Sequence, residues 1–161
     1  MQPTNLLVDP QTRGVKNVVV WLRPDDQGRT KTFPIDKVLV ELRKSAPSTY
    51  TIGMKEWQYD PRIVAARSGD RIHFQNTVAI PVNLNYSSDS ESFNVFLKPA
   101  TGYTLWNPLE YQRTPIMFKD DLHPWMGGRV RVFDHPYFAT TDKDDNFEIK
   151  DAPIGKWRIV Y

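Results

Sequence analysis

Ser68-Gly69-Asp70-Arg71-Ile72-His73-Phe74-Gln75-Asn76 holds in one place the pattern that runs through the whole chain. Ser68-Gly69-Asp70 reads as a turn, because Gly and Asp tolerate the backbone angles a turn requires. Beyond it, Ile72 and Phe74 fall on one face of an extended chain, and His73 and Gln75 on the other. The same alternation appears on both sides. Arg62-Ile63-Val64-Ala65-Ala66 precedes the turn, and Val82, Leu84 and Tyr86 alternate after it. Arg129-Val130-Arg131-Val132-Phe133 alternates basic and apolar residues. Nearer the start, Val18-Val19-Val20-Trp21-Leu22 is β-branched and aromatic, and Pro24-Asp25-Asp26-Gln27-Gly28 reads as a turn. Lys37 to Leu42 alternates as well, with Val38, Val40 and Leu42 on one face. Phe147 and Ile149, then Trp157, Ile159 and Tyr161, finish the set around Pro153-Ile154-Gly155. Thirteen Pro and eight Gly cut the chain into short pieces, and no stretch beyond about ten residues keeps a helical period. The pattern predicts an all-β sandwich or barrel. Its expected core includes Trp21, Ile63, Ile72, Phe74, Val130, Val132, Phe147 and Ile149. Residues 87–112 are the least regular, and are expected to form a long excursion with one short helix.

At 161 residues the chain is expected to form a single domain, residues 1–161, with a core of its own. Hydrophobic residues make up 40% and charged residues 25%, ordinary for a globular protein. A net charge of +2 gives no field that would draw in nucleic acid. No apolar run reaches the roughly 18 residues of a membrane-spanning helix. Met1-Gln2-Pro3-Thr4 lacks the basic-then-apolar form of a signal peptide, so the chain reads as cytosolic or as the mature or trimmed form of an exported protein. The absence of Cys removes disulfides, thiolate catalysis and thiolate metal sites together.

Enzyme signatures are missing. There is no Gly-x-Ser-x-Gly elbow, no His-Glu-x-x-His, no P-loop and no dinucleotide fingerprint. The neighbours Asp120 and Asp121 cannot both enter one cleft from a strand, since successive side chains alternate faces. The chain reads as a non-enzyme.

One loop carries metal chemistry in outline. In Asp120-Asp121-Leu122-His123-Pro124-Trp125-Met126, His123 and Met126 stand at the spacing of a copper-ligand loop. A Cys thiolate would belong where Asp120 stands. Copper favours thiolate and imidazole ligands with a long axial thioether bond. Asp120 and His123 offer a carboxylate and one imidazole, fewer than the three or four ligands a tight site needs. His73, in mid-strand, and His135, in the Asp134-His135-Pro136-Tyr137 turn, read as structural. Asp142, Asp144, Asp145 and Asn146 lack the Gly and distal Glu of a calcium loop, and read as a solvated turn. The loop around His123 reads more simply as retained structure in which Trp125 packs.

Several of these blocks resemble a known family. Gly14 to Leu22 resembles the opening strand of a bacterial family described as methylamine-utilisation-like or cupredoxin-like and common in planctomycetes. Asp60-Pro61-Arg62-Ile63 with Gly69-Asp70 and Asn76 is similar to its second block. His123-Pro124-Trp125-Met126 followed by Asp134-His135-Pro136-Tyr137-Phe138-Ala139-Thr140-Thr141-Asp142 is similar to its most distinctive block. Asn146 to Ile149 and Pro153 to Trp157 resemble its final hairpin, which carboxypeptidase-regulatory-like modules share. The resemblance runs from about Leu6 to Tyr161. It implies a cupredoxin-like Greek-key β-sandwich and a periplasmic or cell-surface location. It also implies copper ligands, of which the early His falls near Val82, just before Asn83, and the Cys at Asp120. Only His123 and Met126 match.

Three functions follow as expectations. The first is a non-catalytic structural or protein-binding module without a cofactor, on a cupredoxin scaffold that has lost its copper site. Its contact surface is expected to include residues 87–112, with Trp106, Tyr111, Tyr103 and Trp125 as partner-binding side chains near the former copper end. The second is a copper-binding or electron-transfer protein with a remodelled mononuclear site at His123, Asp120 and Met126. The third is a carbohydrate-binding module using exposed aromatics. Self-assembly and a separate protein partner are both compatible with the first.

Overall fold

The computed structural model describes residues 7–25 and 32–161. The Met1–Thr4 opening lies outside them, and so does most of the turn expected at Pro24–Gly28. In chain order the strands are β1 (Leu7–Val8), β2 (Val15–Lys16), β3 (Val19–Pro24), β4 (Thr49–Lys55), β5 (Gln58–Asp60), β6 (Ile63–Arg67), β7 (Arg71–Gln75) and β8 (Val82–Ser87). They continue as β9 (Ser92–Leu97), β10 (Gly102–Thr104), β11 (Ile116–Asp120), β12 (Gly127–Phe133), β13 (Phe138–Thr140) and β14 (Trp157–Val160). A single 3-10 turn at Ile35–Lys37 and the short helix α1 (Val40–Lys44) are the helical parts of the described chain. No helix of the described chain is long and apolar enough to cross a membrane. The described residues fall into two compact units, one of residues 47–132 and one built from residues 7–25, 32–46 and 133–161.

The larger unit is the β-sandwich that the alternation predicts. One sheet has the order β10-β7-β4-β5 and the other β6-β12-β11-β8-β9. β4 and β7 run parallel, with Tyr50 opposite Ile72 and Ile52 opposite Phe74. Neighbours in a sheet are often distant in sequence, so the chain crosses between sheets, as a Greek-key sandwich requires. Both sheets turn apolar residues inward. Ile72 and Phe74 from one meet Leu84, Phe118, Val130 and Val132 from the other. At the centre, Phe118 lies 5.1 Å from Tyr59 and 5.2 Å from Phe74, both edge to face, the favoured geometry for ring quadrupoles. Gly128 is required where β12 passes this cluster. A Cβ there would overlap the Phe118 ring and the Arg62 carbonyl.

The smaller unit holds the ribbon β1-β2 and the sheet β13-β3-β14. Leu22, Phe33, Val38 and Tyr137 form its core, with Leu42, Ile149 and Trp157 packed around them. Phe33 stacks on Trp157 at 4.8 Å. The buried Tyr137 hydroxyl accepts from Leu39 N and donates to Lys37 O. His135 is buried as well. Its Nδ1 accepts from Tyr137 N at 3.1 Å, and burial depresses its pKa to about 4.

Several expectations need correction. Lys37–Leu42 is not a strand but the 3-10 turn leading into α1. Val38 is the extended residue that ends the 3-10 turn, and α1 begins only at Val40, so Val38 and Leu42 reach the same core from different elements. Phe147 and Ile149 lie in irregular chain. Phe147 is 44% exposed, and Trp21, Ile63 and Ile149 are half-buried. Ile72, Phe74, Val130 and Val132 are buried as expected. Residues 87–112 are more regular than expected. They contain β9, paired with β8, and β10, paired with β7, and no helix.

Candidate functional site

The loop after β11 lies at one end of the larger unit. In β11, Ile116, Phe118 and Asp120 alternate inward, so strand geometry sends the Asp120 carboxylate into the sandwich. Asp120 is fully buried, a costly position for a carboxylate unless its oxygens are satisfied. They are. Oδ1 accepts from Asn83 N at 2.8 Å and from Leu122 N at 3.0 Å. Oδ2 lies 2.5 Å from His123 Nδ1. The backbone closes the same loop, since Asp120 N donates to Met126 O and Met126 N to His123 O. Asp120 is therefore the hub that shapes residues 120–126.

Met126 is 1% exposed and belongs to the apolar core. Val82 is fully buried in the same core. Among the described residues, no group of three or more His, Cys, Asp or Glu side chains is placed to hold a metal ion. His73 is engaged by Thr104 and Gln75, and His135 belongs to the smaller unit.

Beneath the loop sits Tyr59, whose hydroxyl is buried without a hydrogen-bond partner among the described residues. Its pKa is pushed upward by burial first, then by the negative charges of Asp120 and Asp121. Asp121 itself points outward. Its Oδ2 accepts from Asn85 and Asn94, and Oδ1 pairs with Lys119. The Asn85 bond leads the causes that hold its carboxyl below the usual range.

Two exposed indoles lie against His123. The Trp125 ring meets the imidazole edge to face at 5.3 Å, and Trp57 lies 6.4 Å away. Trp57, Leu122 and Trp125 are 54%, 49% and 48% exposed, while the imidazole between the two indoles is held by Asp120. Sequence reasoning missed Trp57. It occupies the tip of the β4–β5 hairpin, where Lys55 faces Gln58 and Glu56 and Trp57 both take positive φ. That is a two-residue turn of the kind normally built with Asn-Gly. Without Gly or Asn, the sequence carried no turn signal there. A bulky residue in the left-handed region is costly and marks a position worth a functional hypothesis.

The four expected partner-binding residues do not form one patch. Trp125 borders His123. Trp106, 82% exposed, lies at the opposite end of the unit: its carbonyl accepts from Arg71, and neighbouring Asn107 bonds Glu91 beside the Ser87–Ser92 pair. Asp120 lies instead opposite Leu84, toward the other end of β8. Tyr103 is half-buried against Phe93 at 4.8 Å, and Tyr111 is half-buried too.

No protein-family model matches the chain, and no curated protein matches it. Solved cupredoxin structures resemble it over part of its length. A reduced amicyanin variant shares 19% identity, covering 56% of this chain and 88% of its own, at a TM-score of 0.46. A copper-containing nitrite reductase from Thermus scotoductus SA-01 shares 17% identity over 56% of this chain and 23% of its own, at 0.46. A purple cupredoxin from Nitrosopumilus maritimus shares 17% identity over 51% and 97%, at 0.41.

Proposed function

We propose that the larger unit is a non-catalytic protein-binding module on a cupredoxin-type scaffold, and that its end loop is braced by Asp120 and His123 where copper would otherwise sit. A blue-copper centre needs a thiolate and two imidazoles, with an axial thioether. Asp120, His123, Met126 and Val82 do not fit that set. Asp120 is a carboxylate already satisfied by three donors, and Val82 is an apolar core residue. The bacterial methylamine-utilisation-like relationship and the periplasmic or cell-surface location belong to this reading.

One observation carries it: Trp57, Leu122 and Trp125 stand exposed, with both indoles beside an imidazole that Asp120 holds. Large aromatic side chains on a rigid frame anchor interfaces at low entropic cost. The frame is braced here because Asp120 accepts from Asn83 N, Leu122 N and the His123 ring, and Asp121 N and Met126 N bond backbone carbonyls. The test compares wild type with a Trp57→Ser/Trp125→Ser variant of equal melting temperature in affinity capture from cells that express the protein. A discrete partner held by wild type and lost by the variant is expected. Identical capture by both would overturn the reading.

A further inference from the structure

The smaller unit carries a second apolar feature that the proposed function does not use. On β3, Leu22 faces the core, so Val20 and Val18 lie on the same face by the two-residue period. On β14, Ile159 is opposite Leu22 and shares that face. Here the aromatic core ends and a bowl of about 620 Å³ begins, lined by Val18, Val20, Phe147, Ile159, Tyr161 and Asp145. That volume falls within the range of about 300–1,000 Å³ usual for small-molecule sites. Phe147, Ile159 and Tyr161 are 44%, 55% and 88% exposed, so the bowl is open and largely apolar.

Its polar groups are few and differ in kind. Thr141 also lines it, but its hydroxyl is used up, donating to Val15 O and accepting from Val18 N. Asp145 is the charged side chain of the lining. The acids beside it are occupied: Asp142 accepts from the backbone of Asp144 and Asn146, and Asp144 pairs with Lys143 at 2.6 Å. The Asp145 carboxylate has no partner among the described residues. An apolar bowl with one free carboxylate is complementary to an apolar chain that ends in a cation. We propose that the smaller unit binds a cationic amphiphile here, with the chain on Val18, Val20, Phe147 and Ile159 and a protonated amine at Asp145.

The test is calorimetric titration of the whole protein with decylamine, decanol and decanoate below their micellar concentrations. Saturable one-to-one binding of decylamine is expected, with decanol weaker and decanoate weakest. Phe147→Ser together with Ile159→Ser should weaken decylamine by about tenfold or more, because the apolar area is lost. Asp145→Asn should weaken decylamine by about threefold, as an exposed ion pair allows, and leave decanol unchanged. All three side chains are exposed, and unchanged melting temperatures would show the variants folded. No saturable binding would overturn the proposal, and so would equal affinity for the three probes in wild type and Asp145→Asn. A dimer in sedimentation that Ile159→Lys dissociates would overturn it too, because a second copy would then fill the bowl.

Discussion

Acid should destabilise the smaller unit through His135. This imidazole is 4% exposed, sits among Phe33, Phe133 and Tyr137, and uses Nδ1 to accept the Tyr137 amide. Burial lowers its pKa from 6.5 to about 4. Between those values the unfolded chain holds a proton that the folded chain refuses, so stability rises with pH there. The contribution is fully present above about pH 6.5 and is lost as pH falls toward 4. At about 1.4 kcal/mol per tenfold change in proton affinity, the loss is on the order of 3 kcal/mol. Asp134 works the other way, because burial first of all raises its pKa and low pH relieves it, so the slope should flatten near the acid end. The assay is urea unfolding at a series of pH values, read from the amide signals of Leu22 and Tyr137, residues joined by the Leu22 N to Tyr137 O bond. His135→Gln keeps an acceptor without the titration and should lose the slope between about pH 6.5 and 4. Equal slopes in wild type and variant would refute the reasoning, as would a directly measured His135 pKa near 6.5.

Other substitutions separate buried from exposed aromatics. Phe74→Ala should cost about 3–5 kcal/mol in denaturant unfolding, while Phe147→Ala, at an exposed position, should cost about 1 kcal/mol or less. Gly128→Ala should cost about 3 kcal/mol in calorimetry, because its methyl group meets backbone as well as a ring. Asp120→Ala should cost about 3 kcal/mol, since it strands two backbone donors and His123 together; a loss below about 1 kcal/mol would mean that the loop does not depend on this carboxylate.

The sandwich was legible in the sequence because its strands are half-buried and alternate cleanly. Arg71–Gln75, Val82–Ser87 and Arg129–Phe133 show the signal at its clearest. It failed at Lys37–Leu42, where alternating apolar residues span a 3-10 turn, an extended link and the first turn of α1, and where an apolar residue lines a surface bowl, as Phe147 does. Asp120 was visible as the residue in the thiolate position, but not as a hydrogen-bond hub. That role depends on Asn83 and Leu122, whose backbone amides carry no sequence signature. Trp57 was invisible for a related reason: its turn uses Glu56-Trp57 in conformations that usually require Asn or Gly. Residues 87–112 looked irregular because β10 is only three residues long and starts at Gly102, with Pro99 between it and β9.

The central claim is that Asp120 and His123 form a brace and not a pair of metal ligands. Metal analysis of protein purified without added metal, followed by titration with Cu(II) under absorption and calorimetric detection, tests it most directly. The account predicts no co-purified metal, no intense visible band and no stoichiometric binding that depends on His123. One-to-one copper binding in wild type, abolished by His123→Ala or Asp120→Asn, would contradict it.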